Sequence, residues 1–486
     1  MFLGVDIGTS SVKSVLIDER ESIVAQAAMP LSVARPQPTF AEQDPQDWWL
    51  ATVAAIGALP PASRAAVRAV GLTGQMHGAT LLDESGRTLR PAILWNDGRS
   101  ALECVELERR EPGSRRITGN IMMPGFTAPK LLWVSRHEPE IFARTARVLL
   151  PKDYVRLKMT GEAVSDMSDA AGTGWLDVGR RDWSDEMLTA TGLDRSHMPK
   201  LVEGSARAGS LTATVAAQLQ LPKVILAGGA SDNAASAVGM GVIEPGQSFL
   251  SLGTSGVLFV VTDRFRPNAE KAAHAFCHCL PGRWHQMSVM LSAASALDWV
   301  GQLTGERDSQ RLVAAAQARG LRRTTPYFLP YLSGERTPHN DAHARGVFFG
   351  LDSQTEPADL TLAVLEGVAL AFVDGMDVLL ESGGVVGEIS VTGGGARFGY
   401  WSQLIAAALN RPLTFRLGSE IGAAIGAARL ARLAVTGESP QAVCVTPPIS
   451  HVIQPAPKLA ALLADRRRIY ARLYRDLKDA FVEFAT

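Results

Sequence analysis

The sequence predicts an α/β fold that is built twice over, and two short loops carry most of that prediction. Residues 6–11 read Asp-Ile-Gly-Thr-Ser-Ser, and residues 252–256 read Leu-Gly-Thr-Ser-Gly. Each follows an apolar, strand-like run: Phe2-Leu3-Gly4-Val5 before the first, Ser248-Phe249-Leu250-Ser251 before the second. Each precedes another β-rich run, 12–17 and 257–261. Each therefore reads as a tight hairpin turn. Its glycines let the backbone approach an anion closely, and its hydroxyls and amides supply donors. One such loop is weak evidence. Two, about one domain length apart, suggest a duplicated fold whose two jaws close on one polyphosphate. The third observation is that both halves mix strands with helices, which indicates the α/β class.

Taken in order, the first 30 residues read as three strands, with a polar turn at Asp18-Glu19-Arg20-Glu21 between the second and third. Residues 47–59 and 61–69 read as helices, the first opening after Asp44-Pro45. Val70-Gly71-Leu72 is a short buried strand leading into Gly74-Gln75-Met76-His77-Gly78. Strands at 79–82 and 92–95 flank a Glu84-Ser85-Gly86 turn, and a strand at 224–227 ends in Gly228-Gly229-Ala230-Ser231-Asp232. Ile243-Glu244-Pro245-Gly246-Gln247 breaks the pattern, so two domains are expected, 1–242 and 243–486. The second half repeats the theme with strands at 248–261 and 285–290. A helix over 357–382 then carries apolar residues at helical spacing and stops at Gly383-Gly384. Strand Ile389-Ser390-Val391 meets Gly393-Gly394-Gly395, a helix carries Trp401, Leu404 and Ile405 on one face, and a small-residue helix starts near Gly422. An amphipathic helix from Lys458 closes the chain.

Composition narrows the function classes. The chain has 486 residues, 46% of them hydrophobic, enough for more than one sizeable core. A net charge of −1 without a strong run of one sign argues against nucleic acid or an anionic membrane as the main partner. The four cysteines are too few and too scattered for a disulfide scaffold, which favours a reducing cytoplasm. The N-terminus enters a strand at once, so no signal peptide is expected. No uncharged apolar run approaches the ~20 residues that span a bilayer.

Several motifs have both a chemical and a structural reading. Asp6, at a strand end before a glycine turn, suits a hydrated Mg²⁺ beside phosphates, or the turn cap that aspartates often supply. With Gly8-Thr9-Ser10 and Lys13 attached, the phosphate site is the better reading. Thr254 and Ser255 would meet the terminal phosphates from the other side, although in isolation their loop is an ordinary turn. Gly393-Gly394-Gly395-Ala396 lies between strand and helix and admits a nucleotide, yet Phe398 breaks the dinucleotide fingerprint. Asp232 opens a small-residue helix at a strand end. There it can accept a proton from an alcohol or cap the helix, and composition does not separate the two. Gln75-Met76-His77-Gly78 and Trp95-Asn96-Asp97-Gly98-Arg99 mix hydrogen-bonding groups with an apolar wall, as a polyol site requires. His274, Cys277, His278 and Cys279 invite a metal reading. Their Cys-x-Cys spacing is tighter than zinc patterns, so a strand alternating buried and exposed residues is expected instead.

Together these motifs resemble the FGGY carbohydrate kinases over nearly the full length. Leu-Ser-Gly-Glu-Arg-Thr-Pro at 332–338, Pro151-Lys152-Asp153-Tyr154 and the 165–173 segment with Asp169-Ala170-Ala171-Gly172 extend the likeness. The Met76-His77 pair points to the branch that acts on D-xylulose. The resemblance implies two ribonuclease-H-like domains, as in actin and hexokinase, with the active site in the central cleft. It implies ATP-dependent phosphorylation of a ketopentose at O5, with Asp232 as the base and Asp6 supporting Mg²⁺ and the phosphates. Met76, His77 and Trp95 would contact the ketose, with Asn233 beside it. The ATP side would take Gly8, Thr9, Ser10 and Lys13 from the first loop and Gly253, Thr254 and Ser255 from the second. Gly394, Gly395 and Gly399 would complete it. A homodimer is expected only because relatives commonly dimerise. One departure stands out: 228–232 carries an extra residue before the aspartate, compared with the compact Gly-Gly-x-Asp-Asn of the family.

Overall fold

The structure is a computed structural model that describes residues 1–417 and 422–485. Two seven-stranded sheets organise it. In the first, Phe2–Ile7 pairs antiparallel with Ser11–Ile17, which pairs antiparallel with Ile23–Pro30. On its other side Phe2–Ile7 runs parallel to Ala69–Gly74, followed by parallel Ile225–Ala227 and antiparallel Arg207–Ser210. The second sheet repeats this order and these directions. Ser248–Leu252 pairs antiparallel with Gly256–Thr262, and that strand with Trp284–Met290. On its far side come parallel Ile389–Thr392, parallel Leu413–Arg416 and antiparallel Ile449–Ile453. His274–Cys277 extends the other edge. The duplication expected from two loops is thus a duplication of whole sheets, and each loop is the hairpin at the centre of its own sheet.

The helices mostly follow the sequence pattern. Pro45–Gly57 opens on Asp44, whose carboxylate accepts from the Gln46 amide at 2.9 Å. Pro357–Glu381 is the central helix of the second half, and Gly383 leaves it at φ +78°. The helix expected over 61–69 is only Pro61–Ala65, because from Ala69 onward the chain is needed as a central strand of the first sheet.

One helix crosses between the halves. Gly422–Thr436 packs on the first sheet and on the helix Asp232–Gly239 at backbone distance. A Cβ on Gly4 or Gly71 would stand 1.9 Å from the carbonyl oxygens of Ala424 and Ala427. A Cβ on Gly426 would stand 1.9 Å from that of Ala235. The glycines in these strands and helices exist for this contact: close packing leaves no room for even a methyl group. The contact brings the Gly422 end of the helix beside Asp6. Among the described residues no helix is long and apolar enough to cross a membrane.

Candidate active site

The site forms where the two central hairpins face each other. Asp6 is the next-to-last residue of its strand and pairs with Lys13. A cavity of about 240 Å³ is lined by Asp6, Lys13 and Asn233 from the first half and by Ser251, Thr392 and Gly393 from the second. Asp232 is the first residue of its helix, with Ser231 at the cap position. Its Oδ1 accepts from the Asn233 amide at 2.7 Å and from Asn233 Nδ2 at 3.0 Å. Those bonds orient the carboxylate, and they leave Oδ2 as the oxygen able to take a proton. Burial first, and the negative charge of Asp6 second, push Asp232 up to about 7. Burial pushes Asp6 up to about 6 against the pull of Lys13. A carboxylate raised to about 7 that feels the charge of a second one suits a proton acceptor.

The approach to Asp232 contains the extra residue. Leu226 pairs with Val70 and Ala230 with Thr73, so four steps on one strand span three on the other. The surplus is absorbed as a bulge at Gly228-Gly229, with Gly229 at φ +78°. A Cβ there would lie 2.1 Å from the Leu72 carbonyl oxygen.

The Gln75-Met76-His77-Gly78 loop follows the neighbouring strand. Met76 is buried, and His77 sits at φ +69°. Its backbone carbonyl accepts from the buried Lys130 ammonium at 2.9 Å and from the Thr127 hydroxyl at 3.1 Å, which holds that unusual turn. His77 Nδ1–H donates to the Gly172 carbonyl at 2.5 Å. Burial, with the Lys130 charge nearby, pushes this imidazole down to about 3, so it is neutral. A carbonyl partner fixes the proton on Nδ1 and leaves Nε2 as an acceptor. The rings of Phe126 and His77 are 5.0 Å apart and form an apolar wall.

The first glycine–hydroxyl loop is braced by Gln75 and Trp95. The Thr9 hydroxyl donates to Gln75 Oε1 and accepts from the Trp95 indole, each at 3.0 Å. Trp95 thus joins the two loops. Its neighbours do structural work: Asp97 takes both the Ala41 amide and the Arg99 fork, and Arg99 stacks on Phe40 at 3.6 Å. In the second loop the carbonyls of Gly253 and Thr254 accept from the amides of Ala294 and Ala293, so the first turn of a helix holds it from behind. Beyond it a cavity of about 550 Å³ opens, lined by Thr392, Gly393, Gly394, Gly399, Phe415 and His451. Gly394 and Gly399 are open there, whereas Gly395 packs under the loop, 2.6 Å from Leu252 Cγ by its notional Cβ. Phe415 and His451 stack at 4.4 Å and present a flat face suited to a base. Thr392 and Gly393 line both cavities, so the two form one path from the larger cavity to Asp6.

Sequence reasoning missed Phe415, His451, Lys130 and a link across the cleft floor. His274 Nδ1–H donates to Asn120 Oδ1 at 2.8 Å, and Arg336 donates to His274 Nε2 at 3.2 Å. Phe415, His451 and Lys130 lie in no glycine- or hydroxyl-rich motif that would have flagged them, and the sequence motifs that contain Arg336 and His274 gave no sign that the two meet. The strand His274–Cys277 is buried at all four positions and does not alternate, because it lies between the two halves. Among the described residues no group of three or more His, Cys, Asp or Glu side chains could hold a metal ion.

Comparisons with known proteins agree with this fold. The family models for the N-terminal and C-terminal domains of the FGGY family of carbohydrate kinases match residues 1–239 and 249–435. Xylulose kinase from Klebsiella pneumoniae is 53% identical over 480 residues, covering 98% of this chain and 99% of the relative. Xylulose kinase from Escherichia coli (strain K12) is 53% identical with the same coverage. The crystal structure of a xyloylose kinase from Brucella ovis superimposes with a TM-score of 0.96 at 51% identity, covering 99% of both chains.

Proposed function

This chain belongs to the FGGY family of carbohydrate kinases, and from that premise we infer that it phosphorylates D-xylulose at O5 with ATP, using Asp232 as general base. The observation that carries the reading is the Asp6–Asp232 pair at the meeting point of two loop-bearing sheets, with a neutral His77 on one side and a base-sized pocket on the other. Asp232 takes the proton of the O5 hydroxyl as that oxygen attacks the γ-phosphorus. The new P–O bond forms as the bond to the β-phosphate oxygen breaks, and ADP leaves with that electron pair. Asn233 holds the carboxylate still. His77 Nε2 and the Met76–Phe126 wall orient the ketose. The amides of the two loops meet charge developing on the transferred group.

The donor set fits Mg²⁺. This ion binds through one or two carboxylates, phosphate oxygens and retained waters, and Asp6, raised by burial, gains from a nearby cation. When bound, the ion would neutralise phosphate charge. Closure of the two halves excludes water and so limits ATP hydrolysis. The direct test is Asp232→Ala. Loss of phosphoryl transfer with ATP binding intact supports the base, and near-normal turnover rules it out. Phosphorus–carbon couplings in the product's NMR spectrum report whether O5 is the acceptor.

A further inference from the structure

Behind the candidate base lies a buried ionic cluster that the reaction itself does not touch. Lys152 meets Asp153 Oδ1 at 2.6 Å, Asp166 Oδ1 at 2.9 Å and Asp169 Oδ2 at 3.0 Å, and all four side chains are fully buried. Desolvating so many charges is a poor route to stability, since apolar residues of similar volume are often as good or better. What the cluster holds is a better explanation. Asp166 Oδ2 accepts from the Ser168 amide at 2.8 Å and from its hydroxyl at 2.5 Å. Ser168 Oγ in turn accepts from the Ser231 amide at 3.0 Å, one residue before Asp232. Four residues beyond Ser168, Gly172 accepts the His77 Nδ1–H. The short helical stretch Met167–Ala170 and Ala171–Thr173 therefore touches the segment carrying the base and the sugar-facing imidazole at once.

The other side of that segment is also held. The bulge at Gly228-Gly229 interrupts the ladder and leaves backbone groups needing partners. Arg156, fully buried, donates Nη1 to the Ala227 carbonyl at 2.6 Å and Nη2 to the Gly228 carbonyl at 2.5 Å. Asp169 is held well above the usual carboxylate range, by burial first, against the pull of Lys152. One proton there makes Lys152, Arg156 and the three carboxylates neutral overall.

We propose that this cluster is a positioning element: Lys152 clamps the 167–173 stretch through Asp166 and Asp169, and that stretch, with Arg156, sets the spacing between Asp232 and His77. The proposal rests on Asp232 being the base. It gives a use to the buried charges of the 151–154 and 165–173 motifs, which otherwise have none.

The test is Ser168→Ala, which removes the acceptor for the Ser231 amide and leaves every ionic group in place. Turnover should fall about 10- to 100-fold, the range a misplacement near 1 Å produces, with the KM for ATP unchanged. The acid limb of kcat/KM should move to lower pH, because a loosened segment admits water to Asp232. Ser168→Cys, a weaker acceptor, should fall between the two. In an Asp232→Asn background, Ser168→Ala should cause no further loss. Unchanged turnover and pH profile would overturn the proposal, as would a joint collapse of ATP affinity and thermal stability. The two readings fail differently. An active Asp232→Asn variant removes the base and the positioning element together. An inactive Asp232→Asn variant beside a fully active Ser168→Ala variant removes only the positioning element.

Discussion

Gly172→Ala places one methyl group against the atoms proposed to read the sugar. Its Cβ would lie 2.6 Å from His77 Cε1 and 2.6 Å from Met76 Cε. Ordinary contact begins near 3.4 Å, so each neighbour must retreat by about 0.8 Å. Both are side-chain atoms rather than backbone, so the fold should lose the ~1–3 kcal/mol of a typical overpacked core. The displacement falls on the imidazole that Gly172 also holds through its carbonyl. A shift close to 1 Å in a positioning group can lower reaction rates about 100-fold. The expected result is a 10- to 100-fold loss of kcat/KM for D-xylulose, with the KM for ATP unchanged and the protein still folded. Initial rates of ADP release, with each substrate varied against saturating levels of the other, measure both. A variant with wild-type sugar kinetics would refute the placement of Met76 and His77 at the ketose.

Three further outcomes follow from the same geometry. Asp232 is raised from 3.8 to about 7, so its ionised form opposes folding, and Asp232→Asn should raise thermal stability at pH 8 by up to about 4 kcal/mol. Below pH 3.8 the carboxyl is neutral in both the folded and unfolded states, so that gain should vanish there; thermal unfolding at the two pH values checks the sign. For activity the base must be ionised, so kcat/KM should rise through about pH 7. Asn233→Ala, which removes a bond favouring the charged form, should move that limb upward, as a pH–rate profile would show. Phe415→Ala removes half of the stacked face in the larger cavity. It should raise the KM for ATP by roughly 2- to 12-fold, the equivalent of about 0.5–1.5 kcal/mol, and leave the sugar KM alone in steady-state kinetics.

The parts of this account that sequence revealed are those with local signatures. The two hairpins were legible because strand patterning and glycine–hydroxyl turns lie within a dozen residues of each other. Asp6 and Asp232 were legible as carboxylates at strand ends. Met76-His77 was legible as a mix of hydrogen-bonding and apolar groups, and the family resemblance singled the pair out. What stayed hidden depends on pairing distant segments. Phe415 and His451 meet only because their strands pair antiparallel. Gly395 reads like Gly394, yet it packs against Leu252, since a glycine triplet does not show which member faces the cavity. The strand at 274–277 failed to alternate because alternation requires one solvated face, and it has none. The helix expected through Ala69 stopped early because sheet pairing overrode local propensity. The extra residue before Asp232 was visible as a count, but its accommodation as a bulge required the register of two parallel strands.

The central claim is transfer of the γ-phosphate of ATP to D-xylulose. A coupled ADP-release assay with MgATP tests it most directly, comparing D-xylulose with D-ribulose, L-ribulose, xylitol, glycerol and no sugar. Strong stimulation by D-xylulose, well above every other acceptor, is the predicted result. Preference for another acceptor would keep the fold and the base but contradict the substrate. No stimulation by any of them, with ATP still bound, would contradict the kinase reading itself.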